Sequence, residues 1–299
     1  MKLVFLGGGH FAVPALAELK KEFKIALVVT NPEKPVGRKQ IPKPSAIELE
    51  AKKLGFPVET IEKIDENFIK KIQDINPLCF VIIDYGKILP QKLLDIPTKG
   101  AVNVHPSKLP KYRGASPLQS AILAGEKSTA ISIMLIDDKM DHGPILMQKE
   151  TAILPDDTYG SLYKRLSELY PNFLVESLKK YLLDEIKPVP QNDSLATFTK
   201  ILNREDGKID WLISAQKIEQ MVRAYNPWPG TFTEFNNKNL KILNVSISKK
   251  DYQKNPGEIF KDEKLLIAKC GENSLVLERV QPEGKKPMSG EEFVRGYIK

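Results

Sequence analysis

The N-terminal segment alternates between strand and helix, and this order restricts the fold more than any other feature of the chain. Residues 2–6 and 25–30 are short apolar runs typical of buried strands, and residues 11–21 between them have helical spacing. Two strands joined by a helix lie parallel in one sheet, with the helix packed against a face of that sheet. The chain therefore predicts an α/β domain built on a parallel sheet.

An unbroken apolar run at residues 78–83 predicts a central strand of this sheet. Such runs are expected where both faces of a parallel strand are covered. The run contains Cys79, which we expect to be a buried thiol. The other cysteine, Cys270, lies far along the chain, so no disulfide framework is indicated and a reducing cytoplasm fits the composition.

Two polar segments follow predicted strands and would meet at one edge of the sheet. Residues 84–90 follow the central strand, and residues 103–117 join a strand at 101–104 to a helix that can begin at Ser116 and Pro117. Asn103 and His105 lie two residues apart, so they point to the same side of an extended chain. Ligands of open α/β sheets bind at this edge. An amide and an imidazole there suit chemistry on a carbonyl group, although a capping asparagine and a surface histidine explain them equally.

Asp141 is a third polar candidate, because it follows another predicted strand at residues 130–135. Acyl transfer to an amine needs fixed donors for an oxyanion and a group that takes the amine proton. Asn103 could donate to the oxyanion, His105 near a carboxylate could act as a donor or acid, and Asp141 could accept the proton. Taken alone, Asp141 is also explained as a turn residue.

Three other chemistries are disfavoured. Gly7, Gly9 and Ala12 fit the dinucleotide fingerprint, but the acidic residue expected after the second strand is missing, and a glycine-rich turn that allows close packing explains them as well. The three histidines and two cysteines do not cluster at metal-ligand spacing, so we predict no metal. A hydrolase with a nucleophile elbow is disfavoured because no G-x-S-x-G motif is present.

The charge pattern favours an anionic partner without assigning it to one domain. The net charge is +7, from 45 basic and 38 acidic residues, which favours partners such as nucleic acid. The excess is spread along the chain, since residues 206–299 hold 16 basic and 13 acidic residues. Residues 32–44 form a proline-rich loop in which Arg38 and Lys39 could meet an anion, although a solvated flexible loop is the alternative.

The C-terminal third predicts a separate β domain. Residues 188–203 are polar and without period, as in a linker, and no apolar run approaches the about 20 residues that span a bilayer. Five short strands predict a small OB-like barrel. The predicted strands are 231–235, 240–247, 258–260, 265–269 and 274–279, and the predicted domains are 1–187 and 206–299 with a linker at 188–205.

Together, these motifs resemble a known family. Residues 103–107 and 109–115 are similar to the signature of formyltransferases that use 10-formyltetrahydrofolate, and Asp141 with Gly143 is similar to the catalytic aspartate motif of that family. The resemblance covers nearly the whole chain, including motifs beyond the shared catalytic domain. The further matching segments are 34–38, 84–90, 209–211, 226–229 and 281–289.

The resemblance implies a function as well as a fold. It implies a Rossmann-like formyltransferase domain and an OB-like C-terminal domain that binds tRNA. The implied reaction moves a formyl group from 10-formyltetrahydrofolate to the α-amino group of methionyl-initiator-tRNA, without a metal, in a cytoplasmic monomer with no membrane partner. The alternatives are a formyltransferase for a sugar nucleotide amine and an RNA-binding protein with a degenerate α/β domain. Intact Asn103, His105 and Asp141 argue against the last.

The resemblance also assigns site residues, position by position. The catalytic residues are Asn103, His105 and Asp141; the folate-binding residues are Tyr85, Gly86, Ser107, Lys108, Leu109 and Pro110; Arg38 matches the basic residue of the loop that contacts tRNA. We add Lys39 on the same loop, and Lys285 and Lys286 in the C-terminal domain, as candidate tRNA-binding residues. The chain departs from the family pattern at Lys108, where an apolar residue is usual, and at His142, where small or hydroxyl residues are common. Neither departure removes a catalytic group.

Overall fold

The structure, a computed structural model, describes residues 1–32, 34–36 and 41–298. The chain divides into two compact units. The first unit comprises Met1–Arg113, Ala130–Thr151 and Tyr163–Phe198, and the second comprises Gly114–Thr129, Ala152–Leu162 and Thr199–Lys299. The last change of unit falls inside the predicted linker at 188–205. Two internal segments, Gly114–Thr129 and Ala152–Leu162, also belong to the second unit. The predicted domains are continuous in sequence, so they do not include this exchange of segments.

The N-terminal part of the chain alternates between strands and helices as predicted. The strands are β1 Lys2–Gly7, β2 Lys24–Thr30, β3 Lys34–Val36, β4 Ile41–Lys43, β5 Val58–Thr60, β6 Cys79–Ile83, β7 Ala101–His105, β8 Arg113–Gly114, β9 Ser128–Leu135, β10 Ile145–Ala152 and β11 Phe198–Thr199. The helices are α1 Val13–Glu22, α2 Ala46–Lys53, α3 Glu66–Ile75, α4 Gln91–Leu94, α5 Pro117–Leu123 and α6 Tyr159–Leu182.

Seven strands form the main sheet, in the order β10-β9-β7-β6-β1-β2-β5. The strands β7, β6, β1, β2 and β5 pair in parallel, whereas β9 runs antiparallel to β7. The predicted Rossmann-like α/β fold is confirmed, and the sheet is mixed at β9. The apolar pattern of a strand does not encode its direction, so this reversal was not predictable.

The core of the first unit is built around β6, whose five residues are all buried. Full burial of a large aliphatic or aromatic side chain stabilises the fold by about 1.5–3 kcal/mol. Cys79 is fully buried and free, as predicted, and burial raises the pKa of its thiol to about 12. This thiol is therefore an inert core residue.

The register of β6 and β7 brings the two polar segments to one edge. Ile82 pairs with Asn103, so the last residue of β6 lies level with the end of β7. On its other side, β7 pairs with β9, where Asn103 faces Met134 and His105 faces Ser132. The segments that follow β6 and β7 therefore leave the sheet at the same edge, as the sequence predicts.

The glycine-rich turn after β1 is explained by a close approach of two backbones. The Gly9 N–H donates to the Asp84 carbonyl at 3.1 Å. A Cβ on Gly9 would lie 1.5 Å from the Asp84 Oδ2, and a Cβ on Gly8 would lie 2.7 Å from the Asp84 carbonyl oxygen. The glycines thus let the turns after β1 and β6 pack against each other.

The predicted loop at residues 32–44 contains a short hairpin. In it, β3 and β4 pair antiparallel, with Lys34 opposite Lys43 and Val36 opposite Ile41. Each strand has three residues with a central proline, which is too short to show a strand period. Arg38 and Lys39, predicted to bind tRNA, lie outside the residues that the structure describes.

The C-terminal part is an antiparallel β domain with two helices. The sheet order is β12-β13-β16-β15-β14, with β17 added beside β16, and all five predicted strands are present. A buried apolar cluster that includes Ile218, Leu277 and Phe293 forms its core. The strands are β12 Thr231–Phe235, β13 Lys238–Ile247, β14 Ile259–Asp262, β15 Leu265–Lys269, β16 Ser274–Pro282 and β17 Met288–Ser289, and the helices are α7 Ala215–Ala224 and α8 Gly290–Tyr297.

The last helix, α8, was not predicted, although the sequence carries a signal for it. Ser289 and Glu292 form a capping box, in which each side chain bonds the other residue's backbone N–H.

Over the residues that the structure describes, no helix combines the length and apolar character needed to cross a membrane.

Candidate active site

His105 and Asp141 meet at the carboxyl end of β7. The His105 ring is 5% exposed, and its Nδ1 lies 3.6 Å from the Asp141 Oδ2. Its Nε2 lies 3.0 Å from the Tyr112 carbonyl oxygen. Because a carbonyl only accepts hydrogen bonds, Nε2 carries a hydrogen, and Nδ1 is the nitrogen that faces the carboxylate. The Nδ1–Oδ2 distance exceeds that of a direct hydrogen bond but is within ion-pair range when the ring is charged.

Asn103 lies two residues before His105 on the same side of β7. Its side chain is half-buried. Among the described residues, the Asn103 amide forms no side-chain hydrogen bond, and its N–H groups remain available to a substrate. The predicted trio is thus formed by two neighbours on one strand and one aspartate from the loop between β9 and β10.

The Asp141 backbone adopts a conformation that few residues accept. Its φ of 49° lies in the left-handed region, which aspartate and asparagine tolerate better than most other side chains. Two residues later, a Cβ on Gly143 would lie 2.0 Å from the Leu135 carbonyl oxygen. The D-x-G spacing therefore has a structural basis: the loop turns sharply at Asp141 and passes against the end of β9 at Gly143.

Gln191 links the Asp141 loop to Arg113. Its Nε2 donates to the carbonyl oxygens of Asp141 and Gly143, at 2.9 and 2.8 Å. Its Oε1 accepts from the Arg113 guanidinium, from Nε at 3.1 Å and from an Nη at 2.8 Å. Arg113 itself is 3% exposed. Gln191 therefore bridges the loop that carries Asp141 and the segment that follows the predicted folate loop.

A charged cluster surrounds His142, the residue after Asp141. His142 Nδ1 lies 2.6 Å from the Asp137 Oδ2, and its Nε2 lies 3.1 Å from the Asp193 Oδ2. The other Asp193 oxygen accepts from Arg113 at 2.8 Å. The hydrogen bonds to Asp137 and then to Asp193 raise the pKa of His142, while those from Arg113 and then His142 lower the pKa of Asp193. The unusual His142 is thus part of the loop's support.

This cluster predicts a pH-dependent stability. A neutral imidazole has one N–H, so only charged His142 can donate to both carboxylates. The stabilisation it gives is complete below its ordinary pKa of 6.5, and we expect it to be lost as the pH rises through the raised value. The Asp193 contribution is present above its ordinary pKa of 3.8 and is lost as the pH falls through the lowered one. Chemical denaturation over a pH series measures both contributions to the free energy of unfolding. His142→Ala should remove the loss of stability that occurs as the pH rises. If the variant keeps that loss, another group causes it.

The predicted folate loop is held by buried hydroxyl groups. The Ser107 Oγ donates to the Lys111 carbonyl at 2.7 Å, and the Ser132 Oγ on β9 donates to the Ser107 carbonyl at 2.6 Å. Gln148 donates to the Ser132 Oγ at 2.7 Å and to the Leu109 carbonyl at 3.1 Å. Ser107 is fully buried, so its hydroxyl shapes the loop.

The remaining residues of this loop differ in exposure. Lys108 is exposed and pairs with Glu150 at 2.8 Å, Leu109 is buried, and Pro110 is half-buried. Of the predicted folate residues in this loop, Lys108 has the most exposed side chain.

Tyr85 and Gly86 occupy the loop after β6 in different ways. The Tyr85 ring is 3% exposed and packs in the apolar core with residues such as Leu27 and Phe68, and burial raises the pKa of its hydroxyl to about 12. Its carbonyl accepts from Asn31 at 2.8 Å. Gly86, with φ of 71°, has no heavy atom within 4 Å of the position a Cβ would take. The loop therefore offers open backbone at Gly86, while the Tyr85 side chain is in the core.

Two further sets of predictions concern tRNA and metals. Lys285 and Lys286 are both exposed, on the turn between β16 and β17, where the Lys285 N–H donates to the Pro282 carbonyl at 3.0 Å. In the part of the chain described by the structure, no group of three or more His, Cys, Asp or Glu side chains could hold a metal ion.

Sequence reasoning missed the residues that support the site from the predicted linker. Gln191 and Asp193 hold the Asp141 loop and Arg113, and the Thr197 Oγ1 accepts from the Tyr112 N–H at 2.8 Å. The polar, aperiodic residues 188–203 gave no signal of these contacts. The supporting role of Gln191, Asp193 and Thr197 follows from contacts with residues that are distant in sequence.

Two parts of the chain match the two domains of one enzyme family. Residues 1–178 match the formyl transferase family, and residues 201–298 match the formyl transferase C-terminal domain. The chain therefore belongs to the formyl transferase family, which confirms the resemblance seen in its motifs.

The named relatives are more specific. The methionyl-tRNA formyltransferase of Roseiflexus castenholzii is 41% identical over 300 residues, covering 99% of this chain and 96% of the relative. The methionyl-tRNA formyltransferase structure from Clostridium thermocellum matches with a TM-score of 0.58 and 20% identity, over 83% of this chain and 94% of that one. An N-formyltransferase from Helicobacter canadensis, in complex with folinic acid and dTDP-3-aminofucose, matches with a TM-score of 0.71 and 18% identity, over 94% and 99%. At these identities, the structural likeness shows the shared fold.

Proposed function

We propose that this chain transfers a formyl group from 10-formyltetrahydrofolate to the α-amino group of methionyl-initiator-tRNA, for translation initiation. The observation that carries the proposal is that His105 and Asp141 meet at one sheet edge, with Nδ1 of the histidine 3.6 Å from the carboxylate, and that Asn103 lies on the same side of β7 as His105. The names of the full-length relatives support this choice of acceptor. We further propose that the enzyme acts in the cytoplasm as a monomer.

The geometry suits a direct transfer between two substrates. The amine nitrogen attacks the formyl carbon, the bond from that carbon to the folate nitrogen breaks, and one proton moves from the amine to the leaving nitrogen. The Asn103 amide is placed to donate to the oxyanion, as fixed donors do in acyl transfer. Asp141 accepts the amine proton, directly or through water, and His105 presents its Nδ1 to that carboxylate.

The same edge of the sheet suits a flat folate ring. Gly86 exposes its backbone there, and the Ile88 side chain on the same loop is 97% exposed, which gives apolar surface. Binding sites for such ligands combine apolar surface with a few fixed polar groups. The H. canadensis enzyme, which shares the fold, was solved with folinic acid, a folate. We assign Gly86 and the loop at residues 107–110 to folate, with Tyr85 acting through its backbone.

The C-terminal domain is the proposed tRNA-binding part, together with Arg38 and Lys39. Lys285 and Lys286 lie exposed on one turn of this domain. Binding to phosphates releases counterions, so affinity for tRNA should fall steeply as salt rises. A small amine acceptor would not require such contacts.

The test is a formylation assay with separate acceptors. We expect rapid formylation of methionyl-initiator-tRNA and little of elongator methionyl-tRNA, free methionine or a sugar nucleotide amine. KM for the tRNA should rise with salt, because cations from the solution compete with the protein for the phosphates and weaken binding. Preference for the sugar nucleotide amine, without salt dependence, would instead identify a small-molecule formyltransferase.

The lysine pair gives a second arm of this assay. In the Lys285→Ala/Lys286→Ala variant, we expect a higher KM for charged tRNA and a shallower salt dependence, with folate binding unchanged. The matched control is Lys63→Ala/Lys70→Ala, which removes the same charge from exposed positions near and on α3. An equal effect of both pairs would show a general charge effect instead of a specific role for this turn.

A further inference from the structure

We propose that Gln191 is a positioning residue that holds Asp141 in its place facing His105. This inference rests on the function proposed above, in which Asp141 takes the amine proton. Gln191 comes from the predicted linker, about fifty residues after Asp141 in the sequence. Its role is visible only in the folded chain.

The Gln191 side chain uses its full hydrogen-bonding capacity within the protein. Both amide hydrogens are donated, to the carbonyls of Asp141 and Gly143, and Oε1 accepts twice from Arg113. The opposite amide orientation would place oxygen against two carbonyl oxygens and N–H groups against a guanidinium. The network therefore fixes the amide orientation. Because all four positions are taken, Gln191 supports its neighbours and does not bind substrate.

The two carbonyls that Gln191 binds flank the turn that places the carboxylate. Asp141 is in the left-handed region, with φ of 49°, and Gly143 is pressed against the Leu135 carbonyl. One amide group ties both ends of this three-residue segment to the buried Arg113. The 3.6 Å separation of His105 and Asp141 depends on this turn, and misplacement of a reacting group by about 1 Å can cost about 100-fold in rate.

The charge of Arg113 strengthens this support. Its guanidinium binds both Gln191 and Asp193, and Asp193 in turn contacts His142, the residue between the two bound carbonyls. The segment 141–143 is thus held through its backbone by Gln191 and through its central side chain by Asp193. Gln191 bonds the backbone on both sides of His142, at the carbonyls of Asp141 and Gly143.

The experiment is a double-mutant cycle in the full-length enzyme. Gln191→Ala should lower kcat about 10- to 100-fold, with KM for folate and for charged tRNA close to the parent values. In the Asp141→Asn background, the same change should cost almost nothing, because there is no longer a catalytic carboxylate to place. Gln73→Ala, on the exposed face of α3, is the matched control and should leave both backgrounds unchanged.

Three outcomes would overturn the inference. If Gln191→Ala and Asp141→Asn slow transfer additively, Gln191 does not act through Asp141, although Asp141 keeps its proposed role. If kcat falls only in proportion to the folded fraction, measured by thermal unfolding, the role is purely structural. If Asp141→Asn retains the parent rate, the proposed function of Asp141 fails, and this inference fails with it.

Gln191→Glu provides an independent variant of nearly identical shape. The glutamate keeps one oxygen that can accept from Arg113. Its other oxygen faces the carbonyls of Asp141 and Gly143, which in the parent accept hydrogen bonds from the Gln191 amide. We expect kcat at or below that of Gln191→Ala, with the fold retained. Parent-level kcat in Gln191→Glu would overturn the inference, because the two donated hydrogen bonds would then be dispensable.

Discussion

Replacing Asn103 by alanine is expected to lower the rate of formyl transfer by about 10²- to 10³-fold. The Asn103 amide has no side-chain partner among the described residues, so its loss breaks no internal hydrogen bond of the side chain. The effect should fall on the oxyanion, which loses a pre-aimed donor. Single-turnover transfer to charged initiator tRNA measures the rate, and thermal unfolding shows whether the fold is kept.

Asn172→Ala, at an exposed position of α6, is the matched control and should transfer at the parent rate. His105→Ala should be at least as damaging as Asn103→Ala, since it also removes the hydrogen bond from His105 to the Tyr112 carbonyl. Near-parent turnover in either of the two site variants would contradict the catalytic assignment of this strand end.

Asp141→Asn is expected to fold and bind folate but to transfer about 10²- to 10⁴-fold more slowly. Asparagine accepts the left-handed conformation that Asp141 adopts, so the turn should survive the change. The amide cannot take the amine proton, so the proposed general base is lost. The rate is measured under single-turnover conditions, and folate binding is measured separately by titration.

Asp138→Asn is the control for this change, because it removes the same charge from an exposed position on the same loop. We expect it to leave the rate near that of the parent. If Asp141→Asn loses activity only because it unfolds, Asp141 is a structural turn residue, which is the alternative that the sequence left open.

The sequence was sufficient for the parallel part of the main sheet and for the edge at which the candidate residues lie. The apolar run of β6 identified a central strand, and the pairing of Ile82 with Asn103 brings the two polar segments to one edge as expected. The alternation along β7 correctly placed Asn103 and His105 on one side. The burial of a strand and the side to which its residues point depend on consecutive residues, so a sequence pattern predicts them.

The support of the site was not predictable in the same way. Gln191 and Asp193 lie in an aperiodic segment, and their partners are far away in sequence. Tyr85 was assigned to folate by its position in a motif, yet its ring is buried in the core. A motif fixes the course of the backbone, whereas the direction of a side chain depends on what packs around it.

The bond from His105 to the Tyr112 carbonyl limits how protons can travel in the proposed reaction. It occupies Nε2, so the ring offers a single open nitrogen, Nδ1, on the side of Asp141. A histidine with two open nitrogens can receive a proton at one and release another from the opposite side. In this protein a proton must both arrive and leave at Nδ1. His105 must therefore release one proton from Nδ1 before it can accept another there, or a water molecule must carry the proton without using the imidazole. Thr197, by accepting the Tyr112 N–H, helps to maintain this one-sided arrangement.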